Sequence, residues 1–140
     1  MKTKFDSVVK IRAQKVEKIE NDIKKINSSI AKLKEKINNL NSLLLSLHLP
    51  TKGSFSQIAQ INSQKNLIRN EIDVLNNQII ILTNRKNELL HELKKAKVEF
   101  EKMKYLQSEE IKKIIKEIKL KEARELDEIA ILLKARDESK

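Results

Sequence analysis

Apolar residues recur every three or four positions in two long stripes along this chain. The first stripe is Val16, Ile19, Ile23, Ile26, Ile30, Leu33, Ile37, Leu40, Leu44 and Leu47, and it continues backwards through Arg12 to Val9 and Phe5. The second is Ile58, Ile61, Lys65, Ile68, Ile72, Leu75, Ile79, Leu82, Lys86, Leu89, Leu93, Ala96, Phe100 and Met103. Steps that average ~3.5 residues hold a stripe on one side of a helix and imply a partner helix in a left-handed supercoil. The pattern predicts an all-α fold with helices over about 4–48 and 55–137.

Between the stripes lies "SLHLPTKGSFSQ", residues 46–57, with the only proline, Pro50, and the only glycine, Gly53. Pro50 cannot donate a helical hydrogen bond and biases Leu49 away from the helix. Gly53 can supply a positive φ, and Ser54 or Ser56 can cap the next helix. A turn confined to 49–54 predicts an antiparallel two-helix coiled-coil hairpin with a longer, overhanging C-terminal helix.

If Leu47 faces about Phe55, Met1 faces about Glu101. Near there the second stripe breaks, stepping from Met103 to Gln107 and Ile111, two fours in succession, a stutter that locally unwinds a supercoil. Both readings end the hairpin at about the same place. Beyond it about 35 residues of the second helix are expected to project alone, about 50 Å at ~1.5 Å per residue. The same register brings Arg12 near Glu88 and Glu92. An ion pair in the seam would fix alignment; the other reading of Arg12 is a partner contact.

Composition narrows the class. Charged residues are 36% and aromatics 3%, which suits one coiled-coil domain over 1–140 and not a compact core. There is no cysteine, so disulfides and thiolate metal sites are excluded. No apolar run approaches the ~18–20 residues that span a bilayer. The N-terminus has no signal-peptide core, so a soluble cytoplasmic protein is expected.

The net charge of +10 raises the question of nucleic acid. Residues 1–40 hold 11 basic and 5 acidic groups, and 94–140 hold 14 and 11, so acids are interleaved throughout. Stacking aromatics and glycine-rich loops are missing, and nucleic acid is not an expected partner. His48 at the turn and His91 far along the hairpin cannot share a metal. No nucleophile motif or phosphate loop occurs. The expectation is a non-enzyme with no metal, cofactor or small-molecule substrate.

The overhang is the informative part. Ile111, Ile114, Ile115 and Ile118 share a face, and "IAILL", 129–133, is apolar nearly all round. A lone helix cannot bury side chains worth ~1.5–3 kcal/mol each, so an interaction site, self-association or a fold-back onto the hairpin is implied.

With "KEARELDEIA", 121–130, closing a long final helix, the chain resembles the FliJ family of flagellar type III export proteins. The carrying residues are Leu126, Asp127, Glu128, Ile129 and Ala130. The opening "FDSVVKIRAQKVEKIE", 5–20, also looks like the family start. The resemblance implies an antiparallel coiled coil similar to the central stalk of rotary ATPases. It implies as partners the flagellar export ATPase with its regulator, and the membrane protein of the export gate. Some members also handle export chaperones. The implied location is cytoplasmic, peripheral to the inner membrane at the base of the export apparatus.

By the stalk analogy the end bearing both termini enters the ATPase ring. The implied ring-binding residues are Phe5, Val9, Arg12, Ile118, Leu126, Asp127, Glu128, Ile129, Ala130, Leu132 and Leu133. The implied gate-binding stripe is Ile68, Ile72, Leu75 and Ile79, whose isoleucines also fit the seam where the family has an aromatic and a histidine. The alternatives from other classes are a chaperone-like arm gripping unfolded clients and a nucleic-acid-binding arm.

Overall fold

A computed structural model describes residues 2–49 and 53–139. Nearly all of them lie in two helices, α1, Asp6–Ser46, and α2, Phe55–Glu138. Lys, Ile and Leu are prominent in both segments, with Glu joining them in α2, and no glycine or proline interrupts either, so little opposes helix propagation. The two helices pack against each other as an antiparallel coiled-coil hairpin whose second helix is the longer.

Each described helix end is closed locally. At the start of α1, Phe5 N donates to Thr3 Oγ1 at 3.2 Å, while Thr3 N donates to Asp6 Oδ2 at 3.1 Å. This reciprocal box satisfies backbone donors that a helix start leaves without partners. At the other end Ser46 Oγ donates to the Leu43 carbonyl at 2.6 Å. Helix α2 opens on Ser54, whose Oγ accepts from Gln57 N at 3.4 Å, so Ser54 is the cap and Ser56 only hydrogen-bonds to its hydroxyl. Pro50, the expected helix breaker, lies outside the described residues. Gly53 departs from expectation: no described glycine has a positive φ, so its extra freedom is not used.

The chain divides into two compact units, Glu17–Lys95 and Met1–Val16 with Ala96–Lys140. In the first, Ile19, Ile23, Leu75 and Leu89 are buried, and every other stripe position is half-buried. In the second, Ala96 is buried while Phe5, Val9, Arg12, Phe100 and Met103 are half-buried. No described side chain is completely enclosed. That follows from geometry, because a seam between two helices covers each side chain on one side only.

The register differs from expectation. Leu47 was expected opposite about Phe55, but Leu44, Leu47 and His48 share a surface depression with Lys65 and Arg69. Asn27, Ile30, Ala31 and Lys34 likewise share one with Thr83 and Lys86. In the other unit Gln107 Nε2 donates to Asp6 Oδ1 at 2.9 Å. All three place α1 about three turns further along α2 than a tight turn at 49–54 would allow. The reason is at the connection: α1 stops beside residues 65–69, and the first turns of α2 run past its end.

Two further expectations change with it. The stutter at Gln107 does not end the hairpin, because Gln107, Glu110, Ile111 and Ile114 remain half-buried. The overhang therefore starts after Ile114 and is shorter than expected. The predicted Arg12 ion pair is also overturned: Glu88 and Glu92 pair with Arg85 of their own helix, at 3.1 and 3.9 Å. Among the described residues Arg12 forms no ion pair, and its half-buried stem packs in the seam.

Candidate docking site at the end of α2

From Ile115 to Ser139 every residue is exposed. Exposure reaches 66% at Leu126, 53% at Ile129, 69% at Leu132 and 55% at Leu133. These four are fixed relative to one another by the helix, since steps of three and four return to one face. Asp127, Glu128 and Ala130 are exposed beside them, and Ile118 lies four residues beyond the last covered position. Isolated exposed leucines are ordinary, but several on one face of one helix make a candidate contact surface.

A polar clasp lies about two turns before the last covered position, Ile114. Asp6 accepts from Thr3 Oγ1 at 2.7 Å, from Thr3 N at 3.1 Å and from Gln107 Nε2 at 2.9 Å. Hydrogen bonding to the charged form favours it. The Thr3 hydroxyl first, then the Gln107 amide and the Thr3 backbone N–H, hold the Asp6 carboxyl down at about 2, against a small opposing effect of burial. The clasp ties the first turn of α1 to the stutter position of α2. Apolar periodicity does not single it out, although the Thr3–Asp6 spacing is a capping signature and a glutamine in an apolar seam is conspicuous.

The remaining implied ring residues sit at this base. Phe5 and Val9 are half-buried in the seam, and Lys4 Nζ lies 5.4 Å from the centre of the Phe5 ring. The structure thus groups the implied residues into two sets. Leu126 to Leu133 form a bare surface, whereas Phe5, Val9 and Arg12 belong to the seam below it.

The implied gate stripe lies elsewhere. Ile68, Ile72 and Ile79 are half-buried and Leu75 is buried, all of them in the seam of the Glu17–Lys95 unit. The same turns of α2 expose Leu67, Val74 and Ile81, seven residues apart. Asn70, Asn77 and Asn84, also exposed, lie between and beyond them at the same spacing. Sequence reasoning missed this second stripe because asparagine does not register in an apolar pattern. His48 and His91 are exposed, His48 among the residues lining the depression at the end of α1. Among the described residues no helix is long and apolar enough to cross a membrane.

A thin antiparallel seam, local caps and a longer helix left bare at its end define a class of protein: antiparallel coiled-coil hairpins with an overhanging second helix. The family model described as flagellar FliJ protein matches residues 1–139, and the chain belongs to that family. Its role is accordingly related to flagellar export, in a family that is a non-catalytic component of that system. No curated protein and no solved structure matches the chain.

Proposed function

We propose that this chain is the stalk and coupling subunit of the flagellar export machinery. In this reading it works in the cytoplasm, peripheral to the inner membrane. It binds the export ATPase, promotes assembly of its ring and links the ring, with its regulator, to the export gate. The observation that carries the reading is the bare end of α2, where Leu126, Ile129, Leu132 and Leu133 stand exposed in a chain of this family. Each would contribute ~1.5–3 kcal/mol if fully covered by a partner. Asp127 and Glu128 add charge at the same place, and Phe5, Val9 and Arg12 stiffen the base from within the seam.

For the gate, Ile68, Ile72, Leu75 and Ile79 act by holding α2 against α1, and the exposed Leu67, Val74 and Ile81 of the same turns offer the contact. Handling of export chaperones is a further role that the reading accommodates.

The test replaces Ile129 and Leu132 with Asp and measures stimulation of the purified export ATPase, with melting followed by circular dichroism in dilute solution. Stimulation is expected to vanish with melting nearly unchanged. Full stimulation by the double variant would refute the ring assignment. A lowered melting temperature would instead show that the segment folds back onto the hairpin.

A further inference from the structure

One face of α2 from Ile111 to Leu133 is a palindrome in its apolar positions, and the charge along it is an antipalindrome. Counting outwards from Glu122, Ile118 and Leu126 are four residues away, Ile115 and Ile129 seven, and Ile111 and Leu133 eleven. All of these return to one helix face. Charge reverses about the same point. Lys112, Lys113, Lys116, Lys119 and Lys121 precede it with Glu117 alone among them, whereas Glu125, Asp127 and Glu128 follow it with Arg124. Residues 115–139 are exposed, and among the described residues no ion pair is formed beyond Lys112, which meets Glu109 at 3.4 Å.

A sequence that reads alike in both directions from one point suits a twofold axis through that point. Two such helices laid antiparallel set Ile118 of each against Leu126 of the other, and Ile115 against Ile129. The basic half of each then lies along the acidic half of the other. A parallel pairing would lay the basic halves together and the acidic halves together, which is unfavourable. A self-complementary patch on a twofold axis is the usual geometry of a homodimer.

We propose that the free chain pairs with a second copy of itself through the antiparallel ends of two α2 helices, with the twofold axis at Glu122. Lys119 and Lys121 of each copy flank the Glu122 of the other and reduce the repulsion between the two central carboxylates. The proposal goes beyond the export reading and does not depend on it. If both hold, self-pairing and ring binding use the same face and exclude each other.

The chain has no cysteine, so a single introduced one reports geometry cleanly. About this axis the two copies of residue 122 face each other at the centre of the shared face, but two copies of residue 129, on that same face, are separated along the helix by about 21 Å, at ~1.5 Å per residue. Full-length Glu122→Cys is therefore expected to form a disulfide-linked dimer under mild oxidation, and Ile129→Cys is not. Dimers from both variants would mean parallel pairing, and dimers from neither would mean no pairing here; either result overturns the proposal.

Sedimentation equilibrium supplies an independent reading. Lys116→Glu with Lys119→Glu, and separately Glu125→Lys with Glu128→Lys, are each expected to weaken self-association. An equimolar mixture of the two double variants should restore it, with Glu122→Leu tightening the dimer of the otherwise unchanged chain. A wild-type chain that stays monomeric at millimolar concentration, or charge variants that dimerise as well as the parent, would also overturn it.

Discussion

Leu89 and Leu132 belong to the same helix and have the same side chain, yet one is 3% exposed and the other 69%. Nothing in the local backbone separates them. What differs is cover, because α1 packs over the first and no described residue covers the second. Helix formation in α2 is therefore continuous while its energetics are divided. The covered stretch gains stability from the seam, and the bare stretch holds its apolar surface available for contact.

The widest separation between these regions is expected from truncation. Leu89→Ala should cost ~2–5 kcal/mol, as a buried leucine does, whereas Leu132→Ala should stay within about 0.5 kcal/mol in dilute solution, measured by urea unfolding followed at 222 nm. Equal losses at the two positions would show that the end of α2 is covered after all. A smaller effect is expected at the cap of α2. Ser54→Ala removes a long, exposed hydrogen bond and should cost toward the lower end of ~0.5–2 kcal/mol, visible as earlier hydrogen exchange in the first turn. Gly53→Ala should do the opposite. With φ not positive, alanine fits, and the less flexible unfolded chain should raise stability by ~0.4–1 kcal/mol.

The clasp within the covered stretch responds to pH. Asp6 is held down at about 2, from an ordinary value of 3.8, so its charged form is favoured by folding. Its contribution is complete above the ordinary value and is lost as pH falls through the lowered one. Unfolding monitored from pH 5 to pH 2 should show a decline that Asp6→Asn reduces, with no effect of this group near neutrality. Because Asp6 is only half-buried, the change is expected to be the subtlest of the set and to concentrate in exchange rates of the first turns of α1.

Much of the fold was legible as periodicity. Every position assigned to the two stripes, from Phe5 to Met103, is buried or half-buried, and the cap at Ser54 was among the candidates. The bare segment was legible as well, since "IAILL" is apolar all round and no stripe remained in the chain to cover it. Three details were not. Arg12 was assigned carboxylates that Arg85 holds. Gly53 was given a left-handed role it does not take. The hairpin was ended at a stutter that in fact carries Gln107 to Asp6.

One cause underlies the first and third of these. A heptad stripe repeats about every 3.5 residues, so sliding one helix past the other by three such steps restores nearly the same seam contacts. Periodicity therefore determined which faces meet and that two antiparallel helices form, but it left their longitudinal register nearly degenerate. Only features that do not repeat can resolve that degeneracy. They are where α1 stops, how far α2 runs before meeting it, and the single bond from Gln107 to Asp6. These act between residues far apart in the chain, and only tertiary structure decided them. The sequence by itself determined the two helices, their common seam and the apolar character of the final segment. Tertiary packing decided that exposure begins at Ile115, and with it how much of α2 remains available for contact.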